Sequence, residues 1–340
     1  MLASTSLKGL AETEKTDKHA GHDMSNMGDM DMKPDMAVVG ECTSGTLDPD
    51  LFLTHFDWGK QTKLPDGSTR REYDFVTYDK EIEIAPGVFF PAWAYTSLTP
   101  HDKEGNPIEG PGGVTGHVPG PTIRCVEGDT IVINYTNQSD HPHTLHFHGF
   151  HHADMDGSMK DQFVYKNGTF KYEFTAEPFG LHLYHCHSVP LKRHIHKGLY
   201  GTYIVDPKEG VTPAKEFVMV MNGFDTNFDG GNEVYALNSV AHHHMRHPIV
   251  VKKDEPIRLY VVNVTEFDPI NSFHLHANFF YENRTGTSKK AEYFTDTIML
   301  CQGERSVLEL TFPRLGMYMF HAHQSEFAEL GWMGNFLVVE

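Results

Sequence analysis

Four pairs of histidines, each with one residue between its members, are the part of the sequence best suited to chemistry. They are His146/His148, His185/His187, His274/His276 and His321/His323. Residues i and i+2 of a β-strand project from the same face, so each pair presents two imidazoles side by side if it lies on a strand. Imidazole nitrogens are common copper ligands. Two facing surfaces of four imidazoles predict a site for several copper ions that leaves positions open to a small molecule.

A second ligand set is predicted on the opposite face of the same strand. Cys186 lies between the two histidines of the second pair, so its thiol points away from theirs. His143 precedes the first pair by three residues and has the parity to reach that face, and His194 follows Cys186 by eight residues. One thiolate and two imidazoles form the trigonal ligand set of a blue copper centre. His196 is a rival for the role of second imidazole.

Leu199 stands where a weak axial ligand normally follows such a set. A leucine side chain cannot donate electrons to copper, whereas a thioether can. Loss of the axial thioether destabilises Cu(II) relative to Cu(I), so the sequence predicts a raised reduction potential.

Composition excludes several classes of protein. The 340 residues include 24 histidines, and 46 acidic against 28 basic residues give a net charge of −18. Such a charge argues against a nucleic-acid-binding protein, which needs basic patches. No apolar run is long enough for a membrane span, and no signal peptide is recognisable at the start of the chain. The hydrophobic content of 39% is sufficient for a core, and the length suggests two domains.

The segments that must position the histidines are β-strands. Short runs rich in Val, Ile, Tyr, Phe and Thr alternate with turn residues, which predicts strands at 72–78, 122–125, 130–135, 169–174, 181–185 and 202–205. The sequence then repeats, because 180–187 matches 316–323 and 198–205 matches 331–338. Two copies of one β-sandwich unit explain this repeat.

We therefore predict an all-β fold of two tandem Greek-key β-sandwich domains, 41–207 and 208–340, with a linker near 206–213. Residues 1–40 form a Met/His-rich tail that is expected to be disordered, because its polar composition cannot offset the entropy of ordering. The tail is either a solvated leader or a copper-capture segment, since thioethers suit Cu(I) and imidazoles suit Cu(II).

These motifs resemble the copper motifs of multicopper oxidases. The resemblance covers roughly residues 70–340 and rests on His143-x-x-His146-x-His148-Gly, His185-Cys186-His187, His274-x-His276 and His321-x-His323. With two cupredoxin domains and the blue-copper set in the first, the chain is similar to the two-domain laccase-like oxidases. Phe147 departs from the Trp of many laccases. The blue-copper set is absent from the second domain, where its positions hold Asn271, Ala322, Phe327 and Trp332.

The resemblance implies a role for every paired histidine. His146 and His274 would bind the type 2 copper, and the type 3 pair would be bound by His148, His185, His187, His276, His321 and His323. With the blue, or type 1, copper this implies about four coppers per chain. The implied reaction is one-electron oxidation of a reductant at the type 1 copper, coupled to reduction of O₂ to water at the trinuclear cluster.

Two further expectations follow from the resemblance. Asp156 matches the family's acidic residue near the type 2 copper and is a candidate proton relay, although an ordinary turn Asp before Gly is the alternative. The cluster histidines divide equally between the domains, and the resemblance implies a homotrimer with a cluster at each interface between neighbouring subunits.

Other functions remain open on the sequence. Copper nitrite reductases also have two cupredoxin domains and form trimers, but they need an Asp three residues after the first blue-copper His, where this sequence has His146. A copper store or carrier is favoured by the Met/His-rich tail. The reductant is a phenol, a metal ion or a small nitrogen compound such as hydroxylamine. Copper use suggests an extracytoplasmic location.

Two groups of residues are left without an assigned role. The run His242-His-His244-Met-Arg-His247 is expected on an exposed loop, with an auxiliary copper site or a position at a cluster entrance as the alternatives. Cys42, Cys125 and Cys301 are odd in number, and a Cys42–Cys125 disulfide is one pairing that the sequence leaves open.

Overall fold

The computed structural model describes residues 40–43, 45 and 47–340, so the predictions of disorder and copper capture for the tail lie outside the described residues. The chain forms twenty strands and four short helices there. The strands are β1 (Lys60–Lys63), β2 (Thr69–Ala85), β3 (Val88–Ser97), β4 (Gly120–Val126), β5 (Thr130–Asn137), β6 (His146–Phe147), β7 (Thr169–Thr175), β8 (Gly180–His185), β9 (Tyr200–Asp206), β10 (Lys215–Phe224), β11 (Val234–Leu237), β12 (Ile249–Lys252), β13 (Ile257–Asn263), β14 (Ile270–Leu275), β15 (Phe280–Arg284), β16 (Tyr293–Thr295), β17 (Thr297–Cys301), β18 (Arg305–Leu310), β19 (Gly316–His321) and β20 (Met333–Val339). The helices are α1 (Pro49–Thr54), α2 (Leu191–His196), α3 (His243–Arg246) and α4 (Ser325–Glu329).

The strands form four sheets, two in each half of the chain. In the first half, β1, β2, β3, β5 and β7 form one sheet, and a second has the order β4-β9-β8-β6. In the second half, the orders are β11-β10-β13-β18-β15-β16 and β12-β20-β19-β14-β17. All six segments predicted as strands lie within β2, β4, β5, β7, β8 and β9. The fold is all-β and cupredoxin-like, as predicted.

The two halves repeat one another in strand pairing. In the first half β9 pairs parallel with β4 and antiparallel with β8, and in the second β20 pairs parallel with β12 and antiparallel with β19. The strand β9 ends at Asp206 and β10 begins at Lys215. Within the described part of the chain, every pairing between strands keeps to one side of this connection.

Three groups of buried side chains hold the layers together. One lies between the sheets of the first half and includes Cys186 and Leu199, and one in the second half includes Ala322 and Trp332. The third contains side chains of both halves, so the described residues form one compact unit. None of the helices in the described segments has the length and apolar character needed to cross a bilayer.

Candidate metal centres

The three predicted blue-copper ligands meet in the interior of the first half. Cys186 Sγ lies 3.3 Å from Nδ1 of His194 and 3.8 Å from Nδ1 of His143, and these two nitrogens are 3.1 Å apart. All three side chains are buried. Cys186 follows the end of β8, whereas His194 lies on α2, so distant parts of the chain converge on one point.

The structure separates His194 from its rival His196. Both lie on α2, where residues two positions apart point to nearly opposite sides of a helix. Nε2 of His196 accepts a hydrogen bond from the backbone N–H of Asp225 at 3.0 Å, and its ring packs edge-on against Phe90. His196 is therefore occupied in packing, and His194 alone of the two faces Cys186.

Side chains that sequence reasoning missed fix the orientation of this set. Nε2 of His143 lies 2.9 Å from Oγ of Ser139, which also lies 2.7 Å from Oδ1 of Asp79. The Trp93 ring packs against the rings of both His143 and His194, with centroids 4.9 and 4.8 Å apart. These partners leave the two Nδ1 atoms turned toward the thiol.

Leu199 lies in the same buried group as Cys186 and is tied to the site through its backbone. The N–H of Cys186 donates to the carbonyl of Leu199 at 2.9 Å, and the N–H of Leu199 approaches the carbonyl of His194 at 3.3 Å. The side chain brings no donor atom to the set and is fully buried.

The histidine pairs of the first half form a group on the other face of β8. His146 pairs directly with His185 across β6 and β8, and Nε2 of His148 lies 3.3 Å from Nε2 of His185. The His187 ring lies 5.1 Å from that of His146, centroid to centroid. We call these four histidines the first half-site.

The pairs of the second half form an equivalent group. His274 pairs directly with His321 across β14 and β19, and Nε2 of His276 lies 2.9 Å from Nε2 of His321. The His323 ring lies 5.2 Å from that of His274. We call these four histidines the second half-site.

The hydrogen bonds around the two half-sites repeat as well. The backbone N–H of His187 donates to Oγ1 of Thr144 at 3.0 Å, and that of His323 donates to Oγ of Ser272 at 2.8 Å. Thr144 and Ser272 each stand two residues before the first histidine pair of their half. This shared offset is a sequence signal that could have identified both hydroxyls.

In each half-site, Nδ1 of the first histidine lies next to a backbone carbonyl. Nδ1 of His146 lies 2.8 Å from the carbonyl of Asp156, and Nδ1 of His274 lies 3.0 Å from that of Asp296. With Nδ1 bonded to a carbonyl, the lone pair is left on Nε2, which is the atom free to bind a metal.

In the second half, the positions that correspond to the blue-copper ligands hold other side chains. Ala322 takes the place of Cys186, and its N–H donates to the carbonyl of Trp332, which corresponds to Leu199. Phe327 stacks on Tyr235, and the fully buried Asn271 contacts Thr265. The three ligand positions thus hold a buried amide, a methyl group and a phenyl ring, none of which can replace the thiolate and the two imidazoles.

Burial shifts the pKa values of these side chains. It lowers the pKa of His143 to about 2 and those of His185 and His194 to about 4. The rings are therefore neutral at pH 7 and offer lone pairs to a metal. Burial also raises the pKa of the Cys186 thiol, so a bound cation is needed to keep it ionised. The donor set thus fits copper.

Asp156, the candidate proton relay, lies beside the first half-site. Its Oδ1 is 3.3 Å from Nδ1 of His146 and 3.9 Å from Nε2 of His151, and Oδ2 accepts a hydrogen bond from Ser158. Burial alone would raise the pKa of Asp156, but the Ser158 hydrogen bond and the neighbouring His146 lower it below its usual value. The carboxylate borders an open cavity of about 630 Å³ that reaches His146 and His148.

Two expectations about other residues are corrected. The 242–247 run is not simply an exposed loop: His243–Arg246 forms the single turn α3, and His244 is buried because its Cβ packs over Gly334 of β20. Cys42 and Cys125 are both free, so the disulfide that the sequence left open does not form. Cys125 is instead enclosed in the first core, where its thiol lies 3.7 Å from Oη of Tyr203.

Comparisons with known proteins agree with this geometry. Family profiles described as multicopper oxidase match residues 99–210 and 211–340. A solved structure described as a multicopper oxidase is 49% identical, with a TM-score of 0.79, over 86% of this chain and 98% of that chain.

Two curated relatives match shorter segments at higher identity than 30%. The copper-containing nitrite reductase of Neisseria meningitidis serogroup A is 38% identical over 114 residues, 33% of this chain and 29% of that protein. Laccase-3 of Oryza sativa subsp. japonica is 34% identical over 119 residues, 32% of this chain and 20% of that protein. The alignments thus span less than a third of the length of either relative.

Two β-sandwiches that carry paired histidines at equivalent strand ends define a cupredoxin-type copper oxidoreductase. The profile matches and the 49% identical structure allow a narrower statement. The chain belongs to the multicopper oxidase family.

Proposed function

We propose that the protein is an O₂-reducing, laccase-like multicopper oxidase with about four coppers per chain. When bound, the type 1 copper would accept single electrons from a small reductant, and the trinuclear cluster would supply the four-electron reduction of O₂ to water. We propose His143, Cys186 and His194 as the type 1 ligands. The reductant is a phenol, a metal ion or a small nitrogen compound, and the location is extracytoplasmic.

The observation that carries the proposal is the presence of two half-sites with matching geometry. A mononuclear type 2 site needs about three imidazoles, whereas the chain offers eight on two equivalent surfaces. In both, one ring is held through Nδ1 by a backbone carbonyl, as copper-binding histidines usually are. The arrangement suits a type 2 copper between His146 and His274 and a type 3 pair among the other six histidines.

The half-sites also suggest how the cluster is completed. In the single chain, His276 and His323 are exposed, and His148 and His187 are partly exposed. A surface that carries four imidazoles is an incomplete metal site, which another subunit can complete. We therefore propose a homotrimer in which the first half-site of one subunit faces the second half-site of its neighbour.

The chain itself would handle protons and connect the two ligand sets. Asp156 is ionised at neutral pH, lies against His146 and borders the open cavity, so it can take a proton from solvent and hold it near the half-site. Cys186 is bonded directly to His185 and His187, so one peptide segment links the buried set to the half-site.

Nitrite reduction is a second candidate, because a copper nitrite reductase is among the relatives. The position three residues after His143, where those enzymes have a catalytic Asp, is occupied by His146. His146 belongs to the first half-site, which favours O₂ over nitrite.

One experiment separates these functions. The copper-loaded protein should consume O₂ with a phenol or hydroxylamine as reductant, show an intense blue absorption, and fail to reduce nitrite anaerobically. The Cys186→Ser variant should lose the blue band and the oxidase activity together. Anaerobic nitrite turnover without O₂ consumption would make it a nitrite reductase. Copper binding with neither activity would leave a copper store or carrier.

A further inference from the structure

A third group of metal-ligating side chains lies outside both half-sites and the blue-copper set. Asp50 on α1 faces His243 and His244 on α3, two helices separated by almost 200 positions in the chain. One ligand atom from each of these side chains lies within 4.8 Å of the other two. Nε2 of His243 is 3.3 Å from Oδ1 of Asp50, and Nδ1 of His244 is 3.7 Å from the same oxygen.

The His244 imidazole has one nitrogen without a partner. Its Nε2 is a buried atom with no hydrogen-bond partner among the described residues, whereas its Nδ1 lies 3.3 Å from the carbonyl of His247. Nε2 of His243 has the Asp50 carboxylate beside it. The His244 side chain is 1% exposed. A buried imidazole with one ring nitrogen bonded to a carbonyl keeps a lone pair on the other nitrogen for a cation.

The surrounding charges leave room for a cation at this point. Nε of Arg246 lies 3.7 Å from Oε1 of Glu41, and Nε2 of His247 lies 2.9 Å from Oε2 of the same residue. Glu41 thus pairs with Arg246 and His247, and the Asp50 carboxylate remains beside the two imidazoles. The His247 ring stacks on that of His243 with a centroid distance of 4.6 Å and holds it in place.

From this geometry we infer an auxiliary site for a divalent cation of borderline softness, Cu²⁺ or Zn²⁺, with Asp50, His243 and His244 as protein ligands. Two imidazoles and a carboxylate are a donor set that both ions accept, with a remaining position open to water. The ion joins α1 to α3 and thereby fastens the start of the described chain to its second half. The net charge of −18 raises the local concentration of cations.

Zn²⁺ is the sharper probe, because it leaves the colour of the blue copper unchanged. The copper-replete full-length protein is titrated with Zn²⁺ by calorimetry, in parallel with His243→Gln and Asp50→Asn. The parent should bind one more equivalent than either variant, and Zn²⁺ should raise its Tm more than theirs. The blue absorption and the oxidase rate should be the same in all three proteins.

The control is Asp254→Asn, which removes a 67% exposed carboxylate that lies beside Lys253 and not in the Asp50 group, and it should bind Zn²⁺ like the parent. Any Zn²⁺ held by the Met/His-rich tail is common to all the variants and cancels in the comparison. Equal stoichiometry and affinity in the parent and His243→Gln would overturn the inference, as would an equal loss in Asp254→Asn. Failure of the proposed oxidase activity would leave this test unaffected.

Discussion

At the scale of single residues, Leu199 decides the axial environment of the predicted blue copper. It is buried in the same core as Cys186 and provides carbon where a thioether usually stands. The Leu199→Met variant conserves volume and adds a sulfur, so it should stabilise Cu(II) and lower the reduction potential. We expect a fall on the order of 60 mV, equivalent to a tenfold change for one electron, measured by redox titration of the blue band.

Leu183→Met is the matched control. Leu183 is equally buried but packs in the core between the two halves rather than in the core with Cys186. Replacement of Leu183 by Met should leave the reduction potential of the blue copper unchanged. An unchanged potential in Leu199→Met would show that the side chain does not face the metal.

Replacement of Asp156 should slow the proton-dependent reduction of O₂ without slowing electron transfer from the substrate to the blue copper. Asp156→Asn keeps the shape but removes the charge beside His146, so O₂ reduction should slow by about 10²-fold, within the range for general acid–base catalysis. Anaerobic reduction of the blue band by the substrate should remain fast. Stopped-flow absorption and oxygen-electrode rates measure the two steps separately.

Asp154→Asn provides the comparison, because that side chain is 79% exposed and pairs only with the exposed His152. Its oxidase rate should match that of the parent. Equal slowing in Asp154→Asn and Asp156→Asn would point to a general effect of surface charge.

The buried His117 gives the molecule a defined pH response. Burial lowers the pKa of His117 to about 3, and its Nδ1 is bonded to the carbonyl of Pro119. The unfolded chain protonates this ring near pH 6.5, so the free energy of unfolding should fall as pH drops from about 6.5 toward 3. The loss is about 1.4 kcal/mol per pH unit for one such group.

Urea unfolding of the copper-free protein at pH 7 and pH 5 measures this slope. His117→Asn retains a donor for the Pro119 carbonyl but cannot be protonated in this range, so it should reduce the slope. If the slopes of parent and variant coincided, His117 would not be responsible.

At the scale of elements, Gly157 holds the loop that carries Asp156 against β6. Its φ of +74° is left-handed, and a Cβ there would lie 2.1 Å from the carbonyl oxygen of Leu145. Gly157→Ala should therefore push the loop outward, destabilise the fold by about 1–3 kcal/mol and move Asp156 away from His146. Urea unfolding and the O₂-reduction rate should both report the change.

Gly231→Ala is the comparison for Gly157. Gly231 has no positive φ, and its nearest neighbour would be 3.6 Å from the new Cβ, so little should change. A fully stable and active Gly157→Ala protein would mean that the loop tolerates displacement.

Strand periodicity explains how much of this could be predicted from the sequence. Alternation along β8 placed His185 and Cys186 on opposite faces, and the repeat of 180–187 in 316–323 anticipated the second half-site. Side chains brought in from elsewhere escaped prediction, because nothing local marks them. Trp93 packs against His143 from the distant strand β3, and His244 is buried by the distant strand β20.

At the scale of the whole molecule, charged side chains fasten the two halves together. Arg124 on β4 bonds to Asp206 on β9 at 3.0 Å and to Glu216 on β10 at 2.7 Å, with 4% of its side chain exposed. Glu216 also binds Arg258 on β13 at 3.1 Å. Removal of one partner of such a buried pair is strongly destabilising, so the halves are expected to act as a single body.

If neighbouring subunits share the cluster, two inactive variants that are damaged in different half-sites should complement each other. A subunit with His148→Gln has a damaged first half-site, and one with His276→Gln has a damaged second half-site, so neither should reduce O₂ alone. In a head-to-tail ring assembled from equal amounts of both, about one interface in four pairs the two undamaged surfaces. Co-expression should therefore restore roughly a quarter of the parental rate, whereas a cluster built within one chain would yield no complementation.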